Sequence, residues 1–238
     1  DGTVSGVAEG LVGTVIPLGI IPLGTANVLA RELGIPVDLE GACALLAGPK
    51  ALDSIDAMRV DGRHYFTQIG IGIDALMIRD TRTEAKRRFG RWAYLWTAGT
   101  RLLGFQPRRF TLSVDGQALR LRASQIVLAN VGTLGQPPLR WGPNIDPRDG
   151  RINVCIIRAR TAADYARLAW HVVRGRHRQN PNVRYLVAER SIAITAGKPL
   201  PVQADGEIIG TTPVAVAVVP RALHVVVPPR AGRGPDQQ

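Results

Sequence analysis

The spacing of apolar and polar positions divides the chain into two textures. At the start, Val4, Val7, Ala8 and Leu11 fall at helical spacing. Residues 15–22 form a near-continuous apolar run, the pattern of a strand buried on both faces in a parallel sheet. Val28, Leu29, Glu32 and Leu33 return to helical spacing and predict a helix over 25–33. Gly34 is placed to stop it, and Pro36 forbids continuation. Asp38 is placed to cap a further helix through Ala42, Leu45 and Leu46. Helix, strand, helix, helix is part of an α/β unit.

From Asp53 a period of two takes over. Strand-like runs cover residues 55–60, 65–73, 109–114, 125–130, 152–157, 191–195 and 213–219. Asp-Gly pairs at 61–62, 115–116 and 205–206 sit between such runs and predict tight hairpins. The texture is that of a mostly antiparallel β-sandwich. Two helices interrupt it. One, over 82–103, begins with arginines and carries Trp92, Leu95 and Trp96 at helical spacing. The other runs from about Thr161 to Arg176, with Thr161 and Asp164 as a capping box and Tyr165, Leu168, Ala169 and Val172 as its buried stripe. The expected division is a partial α/β domain over 1–57, with 221–229 a candidate to rejoin it. A sandwich follows over 58–220, and a disordered Pro-, Gly- and Arg-containing tail over 230–238.

Composition adds a constraint on partners. The 238 residues include 30 Lys and Arg against 19 Asp and Glu, a net charge of +11 carried almost wholly by arginine. That surface suits an anionic partner: a polyphosphate, an anionic membrane leaflet or nucleic acid. No apolar run approaches the ~20 residues of a membrane-crossing helix. Cys43 and Cys155 lack metal or redox spacing and read as reduced core residues, the usage of a cytoplasmic protein.

Candidate chemistry begins at two glycine turns. Asp1-Gly2-Thr3 opens one helix, and Gly24-Thr25, with Asn27 just beyond, opens another about twenty residues later. Helix starts point free N–H groups and partial positive charge outward, so two of them facing each other favour a phosphate chain. A nearby carboxylate such as Asp1 suits a phosphate-bound magnesium ion. Asp205 and Glu207 flank Gly206 at a hairpin tip, where a general base or a plain solvated turn are both open. Asp56 reads equally as a cleft residue where the domains join or as an exposed strand residue. Asp74, after Gly70 and Gly72, reads as a helix cap.

The run PLGTANVLARELGIP, preceded by DGT, resembles the diacylglycerol kinase catalytic-domain family of lipid kinases, which includes bacterial lipid kinases and sphingosine kinases. The resemblance continues in order through Ile55-Asp56, YFTQIGIGIDA at 65–75, DPRDG at 146–150, QADGE at 203–207 and the closing stretch 222–228. It implies an α/β nucleotide-binding domain of the NAD kinase and phosphofructokinase type, followed by a β-sandwich, with ATP and a lipid meeting between them. It further implies Asp1, Gly2, Thr3, Gly24, Thr25 and Asn27 at the ATP, and Glu207 as general base toward the lipid hydroxyl. Asp56 and Asp205 are the candidates for the cleft between the domains. Asp149, with the carbonyls near Asp146 and Arg151, resembles a magnesium-binding loop. ATP and Mg²⁺ are the implied cofactors, and a lipid the implied substrate. The implied location is cytoplasmic, peripheral at the inner membrane face, with no nucleic-acid partner.

Two departures stand out. The position after Asn27, commonly Asp in that family, is Val28. The chain also opens in mid-motif, so the leading glycines of GGDGT and the first nucleotide-binding strand are expected to precede Asp1. These 238 residues alone are therefore expected to bind ATP poorly. The competing readings are a non-catalytic lipid- or nucleotide-binding relative and a soluble-substrate kinase of the NAD kinase type.

Overall fold

Three Asp-Gly turns organise most of the β architecture. Asp61 (φ 48°) and Gly62 (φ 83°), Asp115 (50°) and Gly116 (89°), and Asp205 (46°) and Gly206 (89°) all place two successive residues in the left-handed region. That is the backbone of a type I′ turn, whose twist matches that of two antiparallel strands. They join β1 (Ala51–Val60) to β2 (Arg63–Tyr65), β4 (Arg108–Val114) to β5 (Gln117–Ala123), and β10 (Pro201–Ala204) to β11 (Glu207–Thr211). The remaining strands are β3 (Gln68–Gly72), β6 (Gln125–Ala129), β7 (Ile152–Ile157), β8 (Val183–Ala188), β9 (Ser191–Ala196) and β12 (Val214–Val227). Helices are α1 (Gly2–Glu9), α2 (Val28–Glu32), α3 (Leu39–Ala47) and α4 (Ala162–Val173). The structure, a computed structural model, describes residues 2–73, 75, 76, 107–134, 139–142 and 144–229. The expectations for Asp1, Asp74, the helix over 82–103 and the tail over 230–238 lie outside these residues.

Two six-stranded antiparallel sheets form the sandwich, in the orders β2-β1-β12-β9-β4-β5 and β11-β10-β3-β6-β7-β8. Their inner faces meet in one core that includes Met58, Ile69, Ile71, Leu112, Ile126, Leu128, Ile156 and Ile194. Each such side chain contributes about 1.5–3 kcal/mol by leaving water. The run over 65–73 was expected as one strand. It breaks at Phe66-Thr67, because the chain leaves the first sheet at β2 and enters the second at β3. Gly72 (φ 117°) ends β3 so close to the neighbouring strand that a Cβ there would strike the Ser124 carbonyl.

A second core packs α1, α2 and α3 against the outer halves of β1 and β12, through Ala8, Leu29, Leu33, Leu45, Ile55, Leu223 and Val225. The two long strands therefore run through both cores. Ile55 pairs with Leu223 and Ala57 with Val219, leaving Asp56 opposite residues 220–222. Asp56 fills this bulge and is fully buried, which decides between the cleft and exposed readings against exposure. Its carboxylate accepts the N–H of Gly150 (2.7 Å) and of Arg221 (2.9 Å). Asn130 donates from Nδ2 to the carbonyls of Asp56 and Phe66, both at 2.8 Å. Burial raises the Asp56 pKa, and the two backbone N–H groups oppose that rise.

Four further expectations are corrected. The 15–22 run is not buried on both faces: Leu18, Ile20 and Pro22 are buried, whereas Val15 is 87% and Ile16 57% exposed. Its only bridge is the parallel one between Leu18 and Val225, so among the described residues it is covered on one side alone. The helix expected over 25–33 shortens to five residues, because Asn27 takes a left-handed conformation (φ 47°) and delays the first turn. Cys43 is exposed rather than buried, since α3 buries Ala42 and Leu45 on its other side; Cys155 is in the core. The α4 stripe of Tyr165, Leu168 and Val172 is half-buried and Ala169 exposed, so this helix lies on the surface.

Two outcomes follow from these contacts. Asp56→Asn offers one acceptor where two N–H groups need one each, and should lower unfolding free energy by about 1–3 kcal/mol in urea denaturation. At α4, the Asp164 carboxylate accepts the N–H of Arg160 (2.9 Å) and of Thr161 (3.0 Å), and the Thr161 hydroxyl accepts that of Asp164. These bonds lower the Asp164 pKa from 3.8 to about 2. A depressed carboxylate stabilises the folded form above its unfolded pKa and loses that effect as pH falls through the folded one. Amide protection of α4 should therefore hold above about pH 4 and fall toward pH 2, a step that Asp164→Asn should abolish.

Candidate active site

One face of α1 carries Gly2, Ser5, Gly6 and Glu9, at spacings of three and four residues. Val4 and Ala8 on the other side pack into the second core. The small and polar face lines a pocket of about 230 Å³ with Arg63, His64, Tyr65, Ala204, Asp205 and Glu207. The first turn of α1 also borders a second pocket of about 350 Å³. Thr3 and Val4 form one wall of that pocket, and the 20–24 segment with Asn27 and Leu29 the other. The start of α1 thus stands between the Asp-Gly hairpin that bears Glu207 and the glycine turn before α2. Gly2 and Thr3, Gly24 and Asn27, and Asp205 and Glu207, distant in sequence, are gathered around it. Thr25 is exposed on the same glycine turn.

Asp205 is the anchor of the first pocket. Its carboxylate accepts the N–H groups of Phe66 (2.9 Å), Thr67 (3.0 Å) and Gln68 (3.1 Å) and the hydroxyls of Thr67 (2.5 Å) and Ser5 (3.0 Å). With so many donors its oxygens are committed to structure. Glu207, two residues on and exposed, begins β11 with its side chain at the pocket. Burial raises the Tyr65 phenol above its usual pKa; Arg63 opposes this and Asp205, Glu9 and Glu207 add to it. The phenol therefore stays protonated at neutral pH.

Asn27, which lines the second pocket, also holds its own turn together. Its Nδ2 donates to the carbonyls of Pro22 (3.0 Å) and Gly24 (2.8 Å), and its Oδ1 accepts the Gly24 N–H (2.9 Å). The buried side chain shapes the glycine turn from within. Glu32, at the far end of α2, accepts the N–H of Thr133 (2.9 Å) and pairs with Arg140 at 2.7 Å, tying the turn to the sandwich.

Asp146, Asp149 and Arg151 lie on one loop, clamped to the domain junction through Asp56. Asp146 Oδ1 accepts the Arg148 N–H (3.2 Å) and Asp149 Oδ1 that of Arg151 (2.9 Å). Burial raises the Asp149 pKa, with Asp56 and Asp146 adding to it. Among the described residues no three His, Cys, Asp or Glu side chains converge as metal ligands, and Asp56 spends both oxygens on backbone N–H groups. The arrangement that the resemblance implies is of another kind, the Asp149 carboxylate together with the backbone carbonyls near Asp146 and Arg151.

Ser5, Glu9, Arg63 and His64 were not singled out from the sequence. Glu9 accepts the backbone N–H of His64 at 2.7 Å and lies 3.3 Å from its Nδ1. The spacing of Gly2, Ser5, Gly6 and Glu9 was a legible signal for a polar helix face. Nothing local pointed to Arg63 and His64.

Residues 67–227 match the family described as the YegS C-terminal NAD kinase beta sandwich-like domain, and residues 1–60 match the diacylglycerol kinase catalytic domain. The chain belongs to the family described as the YegS C-terminal NAD kinase beta sandwich-like domain, whose model covers more than half of it. It is 26% identical to the diacylglycerol kinase of Bacillus subtilis, over 96% of this chain and 75% of that one. Against the diacylglycerol kinase of Mycobacterium tuberculosis identity is 29%, over 96% and 74% of the two chains. An uncharacterized Synechocystis protein is 32% identical over 96% of this chain, which spans only 53% of that relative's length. The crystal structure of a diacylglycerol kinase from Bacillus anthracis superposes with a TM-score of 0.76 at 23% identity, covering 95% of this chain and 75% of that one, a likeness of fold. The partial α/β unit followed by an antiparallel sandwich is thus a fold shared with that structure. No described helix is long and apolar enough to cross a membrane.

The Asp205 cluster sets a measurable expectation. Asp205→Asn should lower the thermal midpoint by the equivalent of about 1–3 kcal/mol, and Ser5→Ala, which removes a single donor, by about 1 kcal/mol. An unchanged midpoint for Asp205→Asn would show that the hairpin is held by packing alone.

Proposed function

We propose that this protein is an ATP-dependent lipid kinase, with the phosphate chain of ATP over the start of α1 and the acceptor hydroxyl at Glu207. The observation that carries the reading is the position of that helix start between two pockets, one bearing Glu207 and the other the 22–27 glycine turn. The family and its kinase-named relatives support it.

Phosphoryl transfer asks a protein mainly for positioning and for neutralisation of charge spread over phosphate oxygens. The N–H groups at the start of α1, with Gly2 allowing close approach and the Thr3 hydroxyl beside it, supply fixed dipoles for that purpose. Thr25 adds a hydroxyl from the facing turn. Arg63 places a guanidinium in the Glu207 pocket. Glu207 would take the proton from the lipid hydroxyl as its oxygen bonds to the γ-phosphorus and the bond to the β-phosphate oxygen breaks, releasing ADP. Magnesium enters with ATP as part of that substrate. The acceptor class is a diacylglycerol-like or long-chain-base lipid, met by a protein working peripherally at the inner face of the membrane.

The test is radiolabelled ATP with the whole protein, a mixed lipid extract and, separately, NAD. Label should appear in a lipid and not in NAD. Glu207→Gln should lower the rate on the order of a hundredfold or more, the usual weight of a general base. Lipid phosphorylation undiminished by Glu207→Gln would refute the base assignment, and label in NAD alone would refute the lipid.

A further inference from the structure

The glycine turn at 22–27 and the hairpin that bears Glu207 belong to different parts of the chain, and one segment of the sandwich reaches both. It consists of residues 131–134, which follow β6, and residues 139–142. Thr133 bridges Arg140 in antiparallel fashion. The Leu134 N–H donates to the Leu139 carbonyl (2.9 Å) and the Trp141 N–H to the Gly132 carbonyl (2.8 Å). Glycine is required at 132, because a Cβ there would strike the Arg140 guanidinium that lies across it.

On one side this segment holds α2. Arg140 forks onto Glu32, with Nη2 donating to Oε1 at 2.7 Å and Nη1 to Oε2 at 3.3 Å. Nη2 also donates to the Ile145 carbonyl (3.1 Å), and Glu32 Oε2 accepts the Thr133 N–H (2.9 Å). The Glu32 side chain is only 6% exposed, so water competes little for the pair. A planar fork on a carboxylate fixes orientation as well as distance. Among the described residues it is the one ion pair that joins α2 to the sandwich. Glu32 lies five residues beyond Asn27, about 7.5 Å along a helix axis, so a tilt of α2 at Glu32 moves the glycine turn.

On the other side it holds the Asp205 hairpin. Trp141 Nε1 donates to Gln68 Oε1 (2.5 Å), and the Tyr185 hydroxyl donates to the Trp141 carbonyl (2.7 Å). The Gln68 N–H in turn donates to Asp205 (3.1 Å). The Thr67 carbonyl accepts the N–H groups of Asn130 (3.0 Å) and Val131 (3.2 Å), where the segment begins. Neighbouring residues of one short segment are thus bonded to the far end of α2 and to the anchor of the Glu207 hairpin.

We propose that Arg140 and Trp141 are positioning residues for phosphoryl transfer, setting the glycine turn beside the phosphate chain at a fixed distance from Glu207. Neither is among the residues lining the two pockets, so their effect on rate passes through the groups they hold. Transfer between two bound substrates tolerates little error, and a displacement of about 1 Å costs on the order of a hundredfold. The inference rests on the lipid kinase reading for the reaction, and on these hydrogen bonds for the coupling of turn and hairpin.

The test compares steady-state lipid phosphorylation by the whole protein, well below its thermal midpoint, for wild type, Glu32→Gln/Arg140→Gln, Arg140→Lys and Trp141→Phe. The neutral double variant is chosen because removing Arg140 alone strands a buried carboxylate and endangers the fold. Its kcat should fall on the order of ten- to a hundredfold, with a smaller change in KM for ATP. Arg140→Lys, a point charge in place of a fork, should retain part of the rate. Trp141→Phe removes only the N–H donor and should lose about fivefold. In a Glu207→Gln background the double variant should cost less than about twofold, because its effect acts through Glu207; a merely structural role would multiply the two losses. Exchange of the Gly24 amide, whose proton Asn27 Oδ1 accepts, should quicken on the order of tenfold in the double variant. An unchanged kcat, losses that multiply with Glu207→Gln, or unchanged Gly24 exchange would each overturn the inference. A wild type that phosphorylates no lipid would count against the kinase reading, and quicker Gly24 exchange in the variant would then leave the coupling of turn and hairpin standing.

Discussion

Everything near the candidate site depends on one carboxylate being able to accept more hydrogen bonds than a neutral side chain. Where the chain crosses from β2 to β3, the N–H groups of Phe66, Thr67 and Gln68 turn away from both ladders and need an acceptor. Asp205 supplies it for all three and takes the hydroxyls of Thr67 and Ser5 as well. Hydrogen bonds to an ionised acceptor are stronger than neutral ones. The same residue adopts the left-handed conformation at the first position of an Asp-Gly turn. A sheet crossing, a hairpin and α1 are thereby locked to a single group. Glu207 follows two residues later, on a strand whose placement is already decided.

A second carboxylate does comparable work between the two cores. β1 and β12 continue from the sandwich into the α/β unit, so the units share strands rather than a flexible linker. The extra residues of β12 opposite Asp56 break the ladder, and the orphaned N–H groups of Arg221 and Gly150 are met by the Asp56 carboxylate. Glu32 adds a third tie, from α2 to Arg140 and Thr133. The pockets on either side of α1 are held in register by these hydrogen-bonded acids, in a protein whose overall charge is strongly positive.

The local rules were legible where the physics is local. Asp-Gly turns, the capping box at Thr161 and Asp164, the Asp38 cap and the period of two through the sandwich depend on residues within a few positions of each other. The 15–22 run misled because an apolar stretch records how much side chain is available for burial, not how many neighbours arrive to cover it. Asn27 belongs to a legible motif, yet its side chain closes the turn from inside. Spacing does not show that a side chain holds a loop from within.

The amino-acid order by itself determined the family, the succession of a partial α/β unit and an antiparallel sandwich, the hairpin positions and the DGE segment that bears Glu207. Each is written in short-range pattern or in a contiguous motif. Only the tertiary structure decided that Asp56 is buried at a strand bulge, that Asp205 is an anchor while Glu207 is exposed at the pocket, and that Ser5, Glu9, Arg63 and His64 share that pocket with them. Those outcomes depend on partners up to 200 residues apart, such as Ser5 and Asp205. Chain order does not encode which backbone N–H groups will be left without a strand partner, and it is those groups that choose their carboxylates.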